Sequence, residues 1–351
     1  MSLGTSGLRV SSSCLGTMTF GQPGWGCDPE TAHAILARYI ARGGNFIDTA
    51  NNYSRGWAER IVGDYLAATP RIRERLVIAT KFVSTLFPGD PNAGGAGRKA
   101  IVAQLEGSLR RLRCDYLDLY WMHAWDALTP IDETMRALDD LVAAGKVRYV
   151  GFSDTPAWKV VQAHTRATLR DRIAPIAIQI EYSLLQRTCE RELIPAAREL
   201  GLGVVAWSPL GNGILAGRYD RAAKGSHAPA RGFISPALAR DSTYDVVEQT
   251  AAIAREVGAT PAAVALAWLR TRRVATILGV RTVAQLDANL DAEQLELAAA
   301  HVEALEAATR PSLGFPGELL AMIPRVAYGG STIDGIAYEP TPYAATDDDR
   351  A

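Results

Sequence analysis

Leu76-Val77-Ile78-Ala79-Thr80-Lys81 is an apolar run of strand length closed by a charged residue, and the helically periodic segment 98–113 follows it after a loop. A strand-length run followed by an amphipathic segment is the repeating unit of an α/β fold. Working outward in both directions, the unit recurs. Further apolar runs lie at residues 13–16, 45–48, 116–123, 147–152, 176–179, 204–207 and 275–278, giving eight in all. Helix candidates fall between them at 59–68, 98–113, 131–144, 190–200 and 243–272, the last divided by Thr260-Pro261. Asp28-Pro29 opens the first helix and Thr155-Pro156 another, each as a capping side chain followed by proline at the first helical position. Runs such as LVIAT and GVVAW do not alternate in polarity, which fits parallel strands covered on both faces.

A doubly wound sheet and a closed (β/α)8 barrel share this alternation. The nearest approach to a dinucleotide fingerprint, Gly95-Ala96-Gly97, lies beyond a loose Pro/Gly loop and not in a tight turn after a strand. Eight units therefore predict a (β/α)8 TIM barrel over residues 1–310, with long loops after strands three and seven. Residues 82–97 are expected to overhang the barrel mouth, and residues 218–242 to act as a binding loop or lid. A Pro/Gly-rich C-terminal extension, 311–351, is expected to have a flexible last dozen residues.

Composition narrows the function classes. In 351 residues, 48% are hydrophobic and 21% charged, and the net charge is −1. This excludes wholesale disorder and lacks the basic field that phosphate-backbone binding needs, so nucleic acid is not an expected partner. No apolar stretch is long enough to span a membrane and the first residues do not read as a signal peptide. The four cysteines (Cys14, Cys27, Cys114, Cys189) are widely spaced, as in a reducing cytoplasm. His33, His164, His227 and His301 are scattered, so no metal site is expected.

In a parallel barrel the active face is built from strand C-termini and the loops after them. Asp48 closes the second strand, with Tyr53 shortly beyond it; Lys81 closes the third and His123 the fourth. Each has a plain structural reading, as turn cap, surface aromatic, snorkelling lysine or core imidazole. Together they read as a proton-transfer site. A phenol titrates near pH ~10, and a neighbouring ammonium stabilises the phenolate and lowers that value. Lys81 is assigned this role toward Tyr53, Asp48 keeps Lys81 charged, and His123 hydrogen-bonds a carbonyl oxygen.

These residues, with Ser6–Ser11, Cys14–Met18, Gly43–Ala50 and Gly279–Val283, resemble the aldo-keto reductases, and the resemblance runs over nearly the whole chain. It implies an NADP(H)-dependent oxidoreductase acting on a small carbonyl or alcohol, with Asp48, Tyr53, Lys81 and His123 as its catalytic tetrad. It further implies that Ser153 and Gln179 contact the carboxamide, that Trp207 stacks on the nicotinamide, and that Ser208, Pro209, Leu210 and Gly213 with Leu215 follow the pyrophosphate. Gly279 is counted with the cofactor site, and Arg281, Gln285 and Asn289 match the family's R-x-x-x-Q-L-x-x-N pattern at the adenosine end. Arg281 is the natural reader of a 2′-phosphate, which favours NADPH. Where many members carry Asn after the carboxamide-binding Ser, this chain has Asp154, whose role the resemblance leaves open. The segment before Leu8 is short for the hairpin that often plugs such barrels. Trp25 and Trp125, in loops by this map, are candidates for an aromatic substrate pocket. The pattern is similar to microbial reductases of aryl aldehydes, hydroxylated natural products or ketosugars. The alternative within the family is a channel β-subunit-like regulatory protein that binds NADP(H) with little turnover. An oligomer is compatible with either reading.

Overall fold

Every apolar run of the sequence becomes a strand, with ends shifted by no more than two residues. The computed structural model describes residues 1–69, 71–225 and 235–341. In chain order the elements are β1 (Ser13–Gly16), α1 (Pro29–Ala41), β2 (Phe46–Asp48), α2 (Trp57–Ala68), β3 (Val77–Phe82), α3 (Arg98–Leu112), β4 (Leu117–Met122), α4 (Ile131–Ala143), β5 (Val147–Ser153), α5 (Ala157–Thr168), β6 (Ala177–Glu181), α6 (Leu193–Glu199), β7 (Gly203–Trp207), α7 (Asp241–Glu256), α8 (Pro261–Thr271), β8 (Ala275–Gly279), α9 (Val283–Asp291) and α10 (Ala299–Thr309). The strands pair in sequence order, all parallel, and β1 closes on β8 with Ser13 opposite Thr276. The chain is thus a closed (β/α)8 barrel.

Among the described residues, a side chain caps the start of α1, α8 and α9. The Asp28 side chain accepts from the Thr31 N–H at the start of α1, and Thr260 accepts from Ala263 at the start of α8. Thr155 does not cap α5. Its hydroxyl donates to the Ser153 carbonyl instead (2.9 Å), and Pro156 stands at the cap position.

Alternation along each strand sorts side chains between two cores. On β3, Val77 and Ala79 face the barrel interior beside Phe46, Leu119, Trp121, Val205 and Ala275, while Ile78 and Phe82 face the helical layer. The Trp121 ring crosses the interior so closely to β5 that a Cβ on Gly151 would lie 2.3 Å from it, which is why that strand position is glycine. The bottom is closed by an abbreviated hairpin. Leu3 N–H bonds the Leu8 carbonyl (3.0 Å), Val10 N–H bonds the Met1 carbonyl (2.9 Å), and the Leu3 side chain is fully buried in the interior core.

The loop after β3 spans residues 83–97 and is pinned by a bridge between Val83 and Gly95. Of the segment 218–242, residues 226–234 lie outside the described residues. Two compact units are distinguished by their packing, Met1–Thr309 and Arg310–Ala351. The second holds α11 (Gly317–Tyr328) and a hairpin of β9 (Thr332–Ile333) and β10 (Ile336–Ala337), neither of which the Pro/Gly content suggests. The expected flexibility of the last dozen residues falls almost wholly outside the described residues. Among those described, no helix is long and apolar enough to cross a membrane.

Candidate active site

Five strands end in a residue that lines one cavity, Gly16, Asp48, Ser153, Trp207 and Gly279; Gln179 lines it from within β6, and Lys81, one residue short of the end of β3, bonds to its lining residues Asp48 and Tyr53. The cavity has a volume of about 650 Å³, within the range of small-molecule and cofactor sites. His123, one residue beyond β4, joins them.

Inward alternation on β3 puts the Lys81 ammonium beneath the cavity floor with no solvent exposure. Its three N–H donors are all used: on the Asp48 carboxylate, on the Thr49 carbonyl (2.8 Å) and on the Tyr53 hydroxyl (3.1 Å). The second oxygen of Asp48 accepts from Gln179 Nε2 (3.0 Å), which ties β2 to β6 across the barrel. Tyr53 is delivered by a tight turn in which Ser54 and Arg55 take left-handed backbone conformations, with φ of 49° and 56°. Its ring meets the His123 ring edge-on, with centroids 5.9 Å apart.

Electrostatics follow from this burial. Desolvation pulls the Lys81 ammonium toward losing its proton, but Asp48 and Tyr53 more than reverse it, so its pKa is raised. Burial also raises the Tyr53 phenol, and here the outcome differs from the expectation. Lys81 does act to lower it, yet desolvation together with the Asp48 charge outweighs that pull, so the phenol stays protonated above its ordinary range. His123 is pushed down to about 3, first by burial and then by the Lys81 charge. It is therefore a neutral imidazole at physiological pH, and its buried Nδ1 has no hydrogen-bond partner. This site holds its proton on Tyr53 and not on His123.

Around the tetrad, Ser153, Asp154, Gln179, Trp207, Ser208, Pro209, Leu210, Gly213, Gly279, Arg281, Gln285, Asn289 and Trp25 all line the cavity. Gln179 has committed its amide nitrogen to Asp48, leaving its carbonyl oxygen for any further partner. Asp154 is exposed in the open mouth, yet the protein around it raises its carboxyl pKa by desolvation, opposed by a hydrogen bond from the Trp207 indole and by Lys81. Gln285 accepts from the Arg281 backbone N–H (2.9 Å), and a guanidinium nitrogen of Arg281 lies 3.5 Å from the Trp25 carbonyl.

Two expected residues lie elsewhere. Trp125 does not line the cavity; it packs against the core beneath the Lys159 ammonium, which stands 4.8 Å from its ring. Leu215 is buried at 1% exposure, turned inward by the left-handed residues Asn212 and Gly213 just before it. The 83–97 loop contributes no residue to the lining. Conversely, Met18, Thr19 and Gln22 after β1, Asn52 and Ser54 beside Tyr53, and Arg218 after β7 line the cavity without having been singled out. The rule that points to strand ends two to four applies equally to the loop after β1.

The lining suits a nicotinamide dinucleotide. Gly213 has φ of +92°, and a Cβ placed there would meet nothing within 4 Å, so bare backbone faces the cavity where a phosphate could approach. The His123 imidazole and the Trp207 indole line the same space and supply a polar ring and an aromatic face. Among the described residues, no group of three or more His, Cys, Asp or Glu side chains converges to hold a metal ion.

Comparison with known proteins gives a consistent result. The model of the aldo/keto reductase family matches residues 14–310. The chain is 40% identical to an uncharacterized oxidoreductase, YrpG, of Bacillus subtilis over 306 residues, covering 84% of this chain and 91% of that one. It is 34% identical to norsolorinic acid reductase B of Dothistroma septosporum (90% of this chain, 83% of the relative). It is 35% identical to an aryl-alcohol dehydrogenase of Pestalotiopsis microspora, with the same coverage of each chain.

Proposed function

This chain belongs to the aldo/keto reductase family, and from that premise we propose that it reduces an aromatic or cyclic carbonyl to the alcohol with NADPH, using Tyr53 as the proton donor. As an oxidoreductase of this family it acts on a small-molecule carbonyl or alcohol with a nicotinamide cofactor. The observation that carries the finer reading is the Lys81 ammonium, saturated by Asp48, Thr49 and Tyr53 directly beneath a cavity lined by Trp207 and Arg281.

The bound cofactor supplies a hydride to the carbonyl carbon. Everything else falls to the chain. Tyr53, a phenol protonated at neutral pH whose pKa burial raises further, gives its hydroxyl proton to the carbonyl oxygen as the new C–H bond forms. The phenolate left behind is held by Lys81, whose ammonium stands 3.1 Å away and is itself kept charged by Asp48. His123, neutral, offers a hydrogen bond that orients the carbonyl without competing for the proton. Ser153 and the Gln179 oxygen orient the carboxamide, Trp207 covers the nicotinamide face, and residues 208–213 run along the pyrophosphate. Arg281, Gln285 and Asn289 take the adenosine end, where the guanidinium reads a 2′-phosphate.

Trp25, Met18 and Trp207 give the cavity an apolar wall suited to an aryl carbonyl, in keeping with relatives named as aryl-alcohol dehydrogenase and norsolorinic acid reductase. Residues 1–310 form the reductase barrel of this reading and residues 311–351 an extension. Four free cysteines fit a reducing cytoplasm. The test is nucleotide consumption by the purified protein with an activated aromatic aldehyde and a panel of small ketones, with NADPH and NADH run side by side. Turnover favouring NADPH is the expected result. Tight NADPH binding with no carbonyl reduced would overturn the reading in favour of a regulatory subunit.

A further inference from the structure

Asp154 follows β5 with φ of +40°, a left-handed conformation that a non-glycine residue keeps only where its surroundings over-determine it. Three neighbouring strands do so. Its N–H donates to the Gln179 carbonyl on β6 (3.1 Å), and its carbonyl accepts from the Trp125 N–H beyond β4 (3.3 Å). Its Oδ1 accepts from the Trp207 indole Nε1 at the end of β7 (3.1 Å). An indole N–H can only donate, so the carboxylate is the acceptor. Asp154 and Trp207 both line the cavity.

We propose that Asp154 positions the Trp207 ring and supplies a fixed negative charge that makes the site prefer the oxidised, cationic nicotinamide over the reduced, neutral one. The inference rests on the cofactor reading given under Proposed function. In the reaction the nicotinamide loses a hydride and gains a positive charge, while the carbonyl carbon gains the C–H bond and its oxygen the Tyr53 proton. A carboxylate held beside the ring attracts only the product form. Between unit charges a few ångströms apart in a partly wet site, that attraction corresponds to roughly tenfold in relative affinity. The charges facing Asp154 are Lys81 from β3, which favours its carboxylate form against the larger desolvation that raises its pKa, and Glu181 from β6, whose carboxyl is raised by burial and then by Asp154 itself. By linkage, tighter binding of the oxidised nucleotide tilts the enzyme-bound equilibrium toward alcohol.

The test separates charge from geometry and reads binding, not turnover. Dissociation constants for NADP⁺ and for NADPH are measured by calorimetry on the full-length protein, on Asp154→Asn and on Trp207→Phe. Asparagine tolerates the left-handed backbone and keeps an acceptor for the indole, so Asp154→Asn removes the charge alone. Its NADP⁺ to NADPH affinity ratio is expected to fall roughly tenfold from the wild-type value. Trp207→Phe keeps a ring and deletes the donor that holds the carboxylate; its ratio is expected to lie between the other two. An unchanged ratio in Asp154→Asn overturns the charge role, and a wild-type ratio in Trp207→Phe overturns the role of the indole–carboxylate contact in holding ring and charge in place. Failure of the wild-type protein to bind either nucleotide would overturn the cofactor reading and this inference with it.

Discussion

Thr80 and Lys81 are consecutive on β3, and each meets a buried ion pair on its own face of the strand. Outward, the Thr80 hydroxyl donates to Glu59 (2.6 Å), whose other oxygen accepts from Arg111 Nε (2.6 Å) between α2 and α3. Inward, Lys81 pairs with Asp48. Both carboxylates are essentially unexposed, at 0% for Glu59 and 2% for Asp48. What differs is where each network ends. The Glu59 network closes on groups packed within the helical layer, whereas the Asp48–Lys81 network ends on the Tyr53 hydroxyl, which faces a cavity. Burial of charge is common to architecture and chemistry. A proton-bearing group at the open end of the network is what separates the second from the first.

Breaking the inward network at its open end should give the largest effect. Tyr53→Phe is expected to lower kcat by roughly 10²–10⁴-fold while nucleotide binding and the thermal midpoint stay close to wild type. Loss of folding in place of loss of turnover would put Tyr53 on the architectural side.

The outward network should answer in the opposite currency. Removing one partner of a buried pair strands the other, so Glu59→Ala is expected to cost about 3–5 kcal/mol of stability by urea unfolding. The fraction that remains folded should turn over near the wild-type rate. A matched loss of kcat per folded molecule would erase the contrast.

A smaller effect sharpens it through pH. His123 is held near 3 in the folded protein against an ordinary value of 6.5, so the unfolded chain binds the extra proton between those limits. Its contribution is fully present above pH ~6.5 and is lost as pH falls, by up to about 1.4 kcal/mol per pH unit. His123→Gln should therefore flatten the stability profile on the acid side of pH 6.5. An identical slope in both proteins would mean that the imidazole is solvated.

The barrel was legible because its strands are largely apolar, and strand ends and chemistry announced each other where an ionisable residue falls at or beside a strand's C-terminal end, at Asp48, Lys81 and His123. Loops carry no such signal. Trp25 and Trp125 look equivalent as loop tryptophans, yet one lines the cavity and the other lies under Lys159. Leu215 follows a run that faces the cavity, but the left-handed pair Asn212-Gly213 reverses its direction, and such torsions are not written in residue type except at glycine. Thr19 and Gln22 follow β1 in a loop, where no apolar run marks a polar residue as facing the mouth. The Tyr53 phenol could not be ranked against its neighbours from sequence, because desolvation depends on what covers the ring and charge partners alone do not determine it.

Closure of β1 on β8 has a consequence in time. The Thr19 hydroxyl donates to the Val280 carbonyl across a chain separation of 261 residues. At a synthesis rate of ~5–20 residues per second, the second of these residues emerges roughly 10 to 50 s after the first. Throughout that interval β1 has a bare edge and Leu3 no complete interior to enter. The newborn chain must be shielded from other copies of itself for longer than most small domains need to fold, and the length of that exposure is set by the ribosome.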